Sequence, residues 1–328
     1  MSTPAQPRFR LLNSDNLIRY LKKDSSISFW YTPMRLGRHV NPRRPEGYYI
    51  DLSPKADYRG PFDAEGIPLL NYYGSIGIQY NPCAVAQYAL GLHERYCDTP
   101  TDDLRARFLG QADWLARHLV TRPSGVQAWE YHFGSSGKSY PLRVPWISGL
   151  AQGQGISVLV RAFNLTGDER YLRTAQAAFA AFSIPLEKDG LLLDHAGEVF
   201  FEEFPSHPPS RVLDGFMFSL FGVYDYILAT QDAEAARLYT AALDTLEAML
   251  PQYDLGFWSR GDLFQRWPPM IASPFYHNIH VLQLLALFAL THRPVLAEYA
   301  QRWAVYQANP MYRAIAVSCK ALFKVLYY

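Results

Sequence analysis

The sequence predicts a mainly α-helical fold, an (α/α) toroid of about four helical hairpins preceded by a short β-rich N-terminal region. Three observations carry that expectation. Three segments share one layout of apolar helix, short turn and amphipathic helix: VLVRAFNLTGDERYLRTAQAAFAAF, FGVYDYILATQDAEAARLYTAALDTLEAML and LQLLALFALTHRPVLAEYAQRWAVYQ. Their turns, at Thr166-Gly167, Thr230-Gln231 and Thr291-His292, recur at roughly 60-residue spacing, longer than the ~34 to 47 residues of common helical-repeat solenoids. The stretch around Tyr96 to Leu109 makes a fourth, earlier copy. Helices apolar all round alternate with helices that are wetted on one face, as inner and outer rings of a toroid require. An extended solenoid is the alternative.

The elements follow in order. Residues 1–75 read as an extended or β-rich arm that does not fold alone. They carry short strand-like runs, Ser28-Phe-Trp-Tyr31 and Tyr48-Tyr-Ile-Asp-Leu52, punctuated by Pro42, Pro45, Pro54, Pro61 and Pro68. Residues 76–328 read as the toroid domain. Capping residues at Asp98 to Asp102 precede the amphipathic run LRARFLGQADWLARHLV. The segment Trp146 to Phe163 has helical apolar spacing with Gly149, Gly153 and Gly155 inside it, each costing about 1 kcal/mol relative to alanine. Such glycines let a backbone or a ligand come close. At a toroid mouth the ligand is the favoured reading, with Gln152 and Gln154 as its polar contacts.

Composition bounds the function. Hydrophobic residues make up 49% and aromatics 15%, which suits a large core and permits an aromatic-lined cleft. A net charge of +1 argues against wholesale nucleic-acid or membrane-surface binding. Cys83, Cys97 and Cys319 show no metal-ligand or CxxC spacing, which fits a reducing compartment. The N-terminus MSTPAQPRFRLLNSDN lacks an apolar h-region and no long apolar run occurs, so a soluble, cytoplasmic protein is expected.

Three constellations could carry chemistry. In Phe200-Phe201-Glu202-Glu203-Phe204-Pro205, adjacent carboxylates lie among aromatic rings. Poor solvation there raises a carboxyl pKa and suits an acid/base group, and side-chain alternation lets one of the two act. In Pro274-Phe-Tyr-His-Asn-Ile-His280, His277 and His280 sit at a helix start without a third metal ligand, so hydrogen bonding or substrate contact is the better reading. Tyr276 beside them is either a phenolic acid/base or a core residue. The loop RLGRHVNPRR holds Arg35, Arg38, Arg43 and Arg44, either solvated or facing a polyanion. Arg161, in an apolar helix, needs an anionic or carbonyl partner. Dinucleotide, P-loop, zincin and nucleophile-elbow signatures are absent from the sequence.

Taken together, these segments resemble the C-terminal catalytic domain of the heparosan-glucuronate (D-glucuronyl) C5-epimerase family. The resemblance rests on Trp146 to Phe163, Glu202-Glu-Phe-Pro205, Val212-Leu-Asp-Gly-Phe-Met-Phe-Ser-Leu220, Ala248 to Asp254, Tyr276-His277 and Ile78 to Leu90, over roughly residues 75 to 310. It implies an α/α toroid that inverts C5 of glucuronate residues, giving L-iduronate, by proton abstraction on one ring face and return on the other. It places the acid/base pair on Glu203 and Tyr276. Candidates for holding the uronate are His277, His280 and Arg260 or Arg161, with Glu202, Gln152 and Gln154 nearby. The implied partner is an acidic polysaccharide or oligosaccharide, with neither nucleic acid nor membrane, no cofactor or metal, and a homodimer allowed. The chain departs from the family at Ile147, Phe204 and Trp258 or Ser259, where tyrosines are expected. A uronan lyase or glycoside hydrolase on the same toroid (Glu203 with Asp214 or Asp262), or an inactive carbohydrate-binding protein, are the other readings.

Overall fold

The computed structural model describes residues 26–134, 140–195 and 197–327. Expectations for residues 1–25 of the arm lie outside the described residues. The chain folds as an (α/α) toroid of four helical hairpins preceded by short strands. The hairpins are α2 (Pro82–Asp98) with α3 (Asp102–His118), α4 (Gly149–Thr166) with α5 (Glu169–Phe179), α6 (Leu213–Thr230) with α7 (Ala233–Tyr253), and α8 (Pro274–Thr291) with α9 (Pro294–Ala308). Before them come α1 (Ser26–Trp30), β1 (Arg35–Leu36), β2 (Ile50–Asp51), β3 (Leu69–Asn71) and β4 (Ile78–Tyr80), and after them α10 (Pro310–Tyr327). Two further two-stranded ribbons occur, β5 (Val120–Thr121) with β6 (Gln127–Ala128) and β7 (Leu192–His195) with β8 (Glu198–Phe201).

The three later turns use one chemistry. Gly167, Gln231 and His292 take the left-handed conformation with φ of 72°, 57° and 56°. The threonine before each returns its hydroxyl to the carbonyl four residues back: Thr166 to Ala162, Thr230 to Tyr226 and Thr291 to Leu287. Orphan carbonyls at each helix end are thereby satisfied. Asp168 and Asp232 then cap the next helix.

The inner helices α2, α4, α6 and α8 pack on one another in chain order, each backed by its outer partner. Between α8 and α2 the ring is filled by the N-terminal segment: β1 and β2 lie on α8, and the 3-10 turn Ser53–Asp57 lies on α2. One hydrophobic core runs from Phe29 to Trp303. Asp225 on α6, with Arg161 on α4 at 2.6 Å, ties the filler to the ring. The Arg161 guanidinium donates to the carbonyls of Glu46 and Gly47, and the Tyr49 hydroxyl donates to Asp225 at 2.7 Å. All of Arg161's charge is therefore spent inside the fold, and its expected contact with substrate is corrected to a structural one.

Two more expectations are corrected. The run Ser28 to Tyr31, expected as a strand, instead forms the second half of helix α1 and the turn after it. Its terminal carbonyls at Phe29 and Trp30 accept from the ammonium of Lys55, which is buried with the ring of Phe29. That cap comes from 25 residues away, beyond the reach of a local pattern. The glycines of α4 admit other parts of the protein and not a ligand: Gly149 the Glu202 carbonyl, Gly155 the Trp129 ring and Gly153 helix α6. A Cβ on Gly153 would lie 2.7 Å from the Cα of Ser219, and one on Gly222 would lie 2.2 Å from the carbonyl oxygen of Gly153. The lost helix propensity allows α4 and α6 to touch backbone to backbone. No helix among the described residues is long and apolar enough to cross a membrane.

Candidate active site

A cleft of about 440 Å³ opens where the starts of the inner helices meet the N-terminal segment. Asn81, Cys83 and Gln87 of α2 form part of its lining. An aromatic wall follows, with Tyr131 and Trp146 stacked at 3.9 Å between centroids and Tyr140 on Phe204 at 4.8 Å. Flat rings of this kind suit the apolar faces of a sugar. Tyr31 and Met34 of the arm line it too, so the arm is part of the site.

Glu202 and Glu203 follow β8, and extended backbone turns their side chains opposite ways. Glu202 points into the protein, accepting from the Ser210 hydroxyl at 2.6 Å and from the Arg211 amide at 3.0 Å. Burial pushes its pKa up to about 7 against the pull of those hydrogen bonds. It does not line the cleft, and its expected role at substrate is corrected accordingly. Glu203 opens on the cleft, with its Oε2 sealed from solvent and lacking a hydrogen-bond partner among the described residues. Burial holds its pKa well above the usual carboxylate range, reinforced by Asp214, Glu202 and Asp262. Gly215, in the first turn of α6, leaves room for it: a Cβ there would stand 2.2 Å from Oε2.

Tyr276 also lines this cleft. It lies in the first turn of α8, where its amide donates to the capping Ser273 hydroxyl at 3.3 Å. Its ring meets Tyr31 edge-on at 6.2 Å and neighbours Phe275. Residues 203 and 276, far apart in the chain, thus open on one space.

The other expected site residues are not brought there. His277 is fully buried, stacked on Trp258 at 3.9 Å, with Nε2 donating to the Trp303 carbonyl and Nδ1 facing the Ser259 amide and hydroxyl. Burial lowers its pKa to about 4, leaving it a neutral imidazole. His280 is buried behind it, with Nδ1 2.9 Å from the Ser259 hydroxyl and Nε2 3.9 Å from Asp214. Neither lines the cleft, nor does Arg260. Gln152 is consumed by the Trp129 amide and the carbonyls of Ala178 and Gln127. Gln154 accepts from the Cys83 thiol at 3.3 Å. Both glutamines are fully buried outside the cleft. Packing seals these polar groups away from the cleft, and Gln154 Nε2, His280 Nε2 and Arg260 Nε have no hydrogen-bond partner among the described residues.

The cations that do line the cleft are Lys320 and Lys324 of α10, which the sequence reading passed over. A signal existed: they share a helical face with the buried Ala316 and Phe323, an unusual place for lysine. Asp214 and Tyr140 also line the cleft. The Tyr140 hydroxyl donates at 2.6 Å to Asp262 Oδ2, the same oxygen that Arg266 pairs, while Asp262 Oδ1 is buried without a hydrogen-bond partner among the described residues. Among the described residues no cluster of three or more His, Cys, Asp or Glu is arranged to hold a metal ion.

An α/α ring with a buried carboxyl and a phenol on one aromatic cleft is the class of molecule that fold and site define. Residues 124–305 match the family described as D-glucuronyl C5-epimerase C-terminus, and the chain belongs to that family. A D-glucuronyl C5-epimerase of Caenorhabditis elegans is 34% identical over 216 residues, covering 61% of this chain and 34% of the relative. The chain thus spans about a third of that relative's length. An uncharacterized protein of Methanocaldococcus jannaschii is 29% identical over 266 residues, covering 74% of this chain and 84% of the relative. Among solved structures, an unsaturated glucuronyl hydrolase from Bacillus sp. GL1 is 16% identical with a TM-score of 0.44, covering 71% of this chain and 61% of that one.

Proposed function

We propose that this chain is a uronyl C5-epimerase, converting D-glucuronate to L-iduronate residues in an acidic polysaccharide or oligosaccharide. The observation that supports it most is the placement of Glu203 and Tyr276 on one cleft, in a chain of the D-glucuronyl C5-epimerase family. The C5 proton is alpha to the carboxylate. One of the two groups takes it, and the electron pair of the C5–H bond moves into the carboxylate as an enediolate. The other group returns a proton to the opposite ring face, forming the new C5–H bond and restoring the carboxylate. Glu203 suits this exchange because a carboxyl that ionises reluctantly is a strong base once ionised. Its sealed Oε2 has no hydrogen-bond partner among the described residues to stabilise the ionised form, which keeps the carboxyl basic. Phe204, which lacks a phenol, keeps its ring against Tyr140 as wall.

The test is solvent exchange. In deuterium oxide, the protein should place deuterium at C5 of a glucuronate-containing polymer, followed by NMR, without a new ultraviolet-absorbing product or new reducing ends. Glu203→Gln should abolish the exchange. Exchange that persists in that variant removes Glu203 from the reaction, and an unsaturated product would favour elimination over inversion.

A further inference from the structure

A cleft that stabilises an enediolate needs positive charge beside the carboxylate, and the histidines and arginines expected to supply it are sealed elsewhere. We propose that Lys320, on the C-terminal helix α10, holds the carboxylate of the reacting uronate, and that Lys324, one helical turn on, contacts the same anionic ligand. The proposal rests on the uronate reading above and names the residues that would recognise the acid.

Several observations carry it. Both lysines line the cleft that Glu203, Asp214 and Tyr276 line, and among its described lining residues they are the only cationic side chains. They lie four residues apart, hence on one helical face. Asp262 and Asp214 act electrostatically on both Lys320 and Glu203, so the ammonium and that carboxyl share the same charged neighbours. Arg266 pairs Asp262 through Oδ2, so Lys320 is not the sole cation beside that carboxylate. Burial lowers the Lys320 pKa to about 8, so at neutral pH it is a charged but poorly hydrated ammonium, less costly to desolvate again when an anion arrives. Both lysines lie beyond residue 305, where the family match ends.

The experiment uses the full chain, a uronate-bearing hexasaccharide, and the same hexasaccharide with its carboxyls reduced to alcohols. Calorimetry should show the wild type preferring the acid by roughly tenfold or more, the scale of a charge-assisted contact. Lys320→Met should bind the two hexasaccharides alike, and Lys320→Arg should keep part of the preference. Lys324→Met should weaken binding of the acid by a smaller factor. Should Lys320→Met melt early, the lysine signals of the wild type labelled at Cε decide. The Lys320 signal must shift with the acid and stay still with the reduced sugar. A preference retained in Lys320→Met, a wild type without preference, or an unmoved Lys320 signal would overturn the proposal. Failure of the epimerase reading looks different: no C5 exchange by the wild type, with the lysine-dependent preference intact.

Discussion

Gly215→Ala offers a test of Glu203 that leaves its chemistry untouched and moves only its position. The added Cβ would lie 2.2 Å from Glu203 Oε2 and 2.5 Å from its Cβ. Ordinary contacts need about 3.5 Å, so the carboxyl must retreat by roughly 1 Å. A misplacement of that size costs about 100-fold in rate, or about 2.7 kcal/mol in activation free energy. Helix α6 gains up to about 1 kcal/mol of propensity from alanine, which offsets part of the cost of shifting the chain at Glu203, whose Cβ no rotamer change can move away. Two measurements decide: the initial rate of C5 deuterium incorporation and thermal unfolding of the same preparation. Gly153→Ala is the contrast, because its Cβ would strike the backbone of Ser219. That variant should lower stability first, with activity falling as the folded fraction does. A Gly215→Ala protein that melts normally and exchanges within about threefold of wild type would show that the position of the Glu203 carboxyl does not matter, and the two-base scheme would fail.

Asp225→Asn should destabilise the chain by about 3–5 kcal/mol, because the side chains of Arg161 and Asp225 are both fully buried and the arginine would keep an unpaired charge. A melting-temperature loss of less than about 3 °C would mean that the carbonyls of Glu46 and Gly47 suffice as partners. Acid should weaken the fold through His93, whose pKa burial lowers to about 3, and through His277, lowered to about 4. A depressed folded-state pKa supplies stability that is fully present above about 6.5 and is lost as pH falls towards the folded value. Glu202, raised to about 7, works in the opposite sense, adding stability as pH falls from about 7 towards 4.5. His93→Gln isolates one contribution: urea midpoints between pH 6.5 and 5 should fall less steeply than in wild type, and an unchanged slope would refute it.

The helix pairs were legible because apolar periodicity over long segments reports burial directly, and because Thr-Gly, Thr-Gln and Thr-His turns mark their own ends. The split between Glu202 and Glu203 was legible as well, since adjacent residues of an extended chain must diverge. What failed were inferences that needed tertiary partners. Helix α1 depends on Lys55, and no local pattern shows that an ammonium will arrive to cap it. Gln152, Gln154, Arg161, His277 and His280 are polar groups on apolar helices, a pattern that a ligand site and a satisfied interior share. Ser259, lodged between the two imidazoles, decides the matter for the histidines. Lys320 and Lys324 went unnoticed because lysines near a C-terminus read as solvent-facing until the helix is seen lying along the cleft.

The ring is closed by residues from its own beginning. Tyr31 reaches the ring of Phe275 at 5.1 Å, and β1 and β2 rest on α8. Residues that precede the first hairpin must therefore wait for the fourth hairpin before either is fully covered. Contacts of such long sequence separation form late and slowly. The cleft, which takes walls from Tyr31 and Met34 before the hairpins and from Lys320 after them, is complete only once those segments dock, so binding competence reports completion of the whole circle and not of any one hairpin.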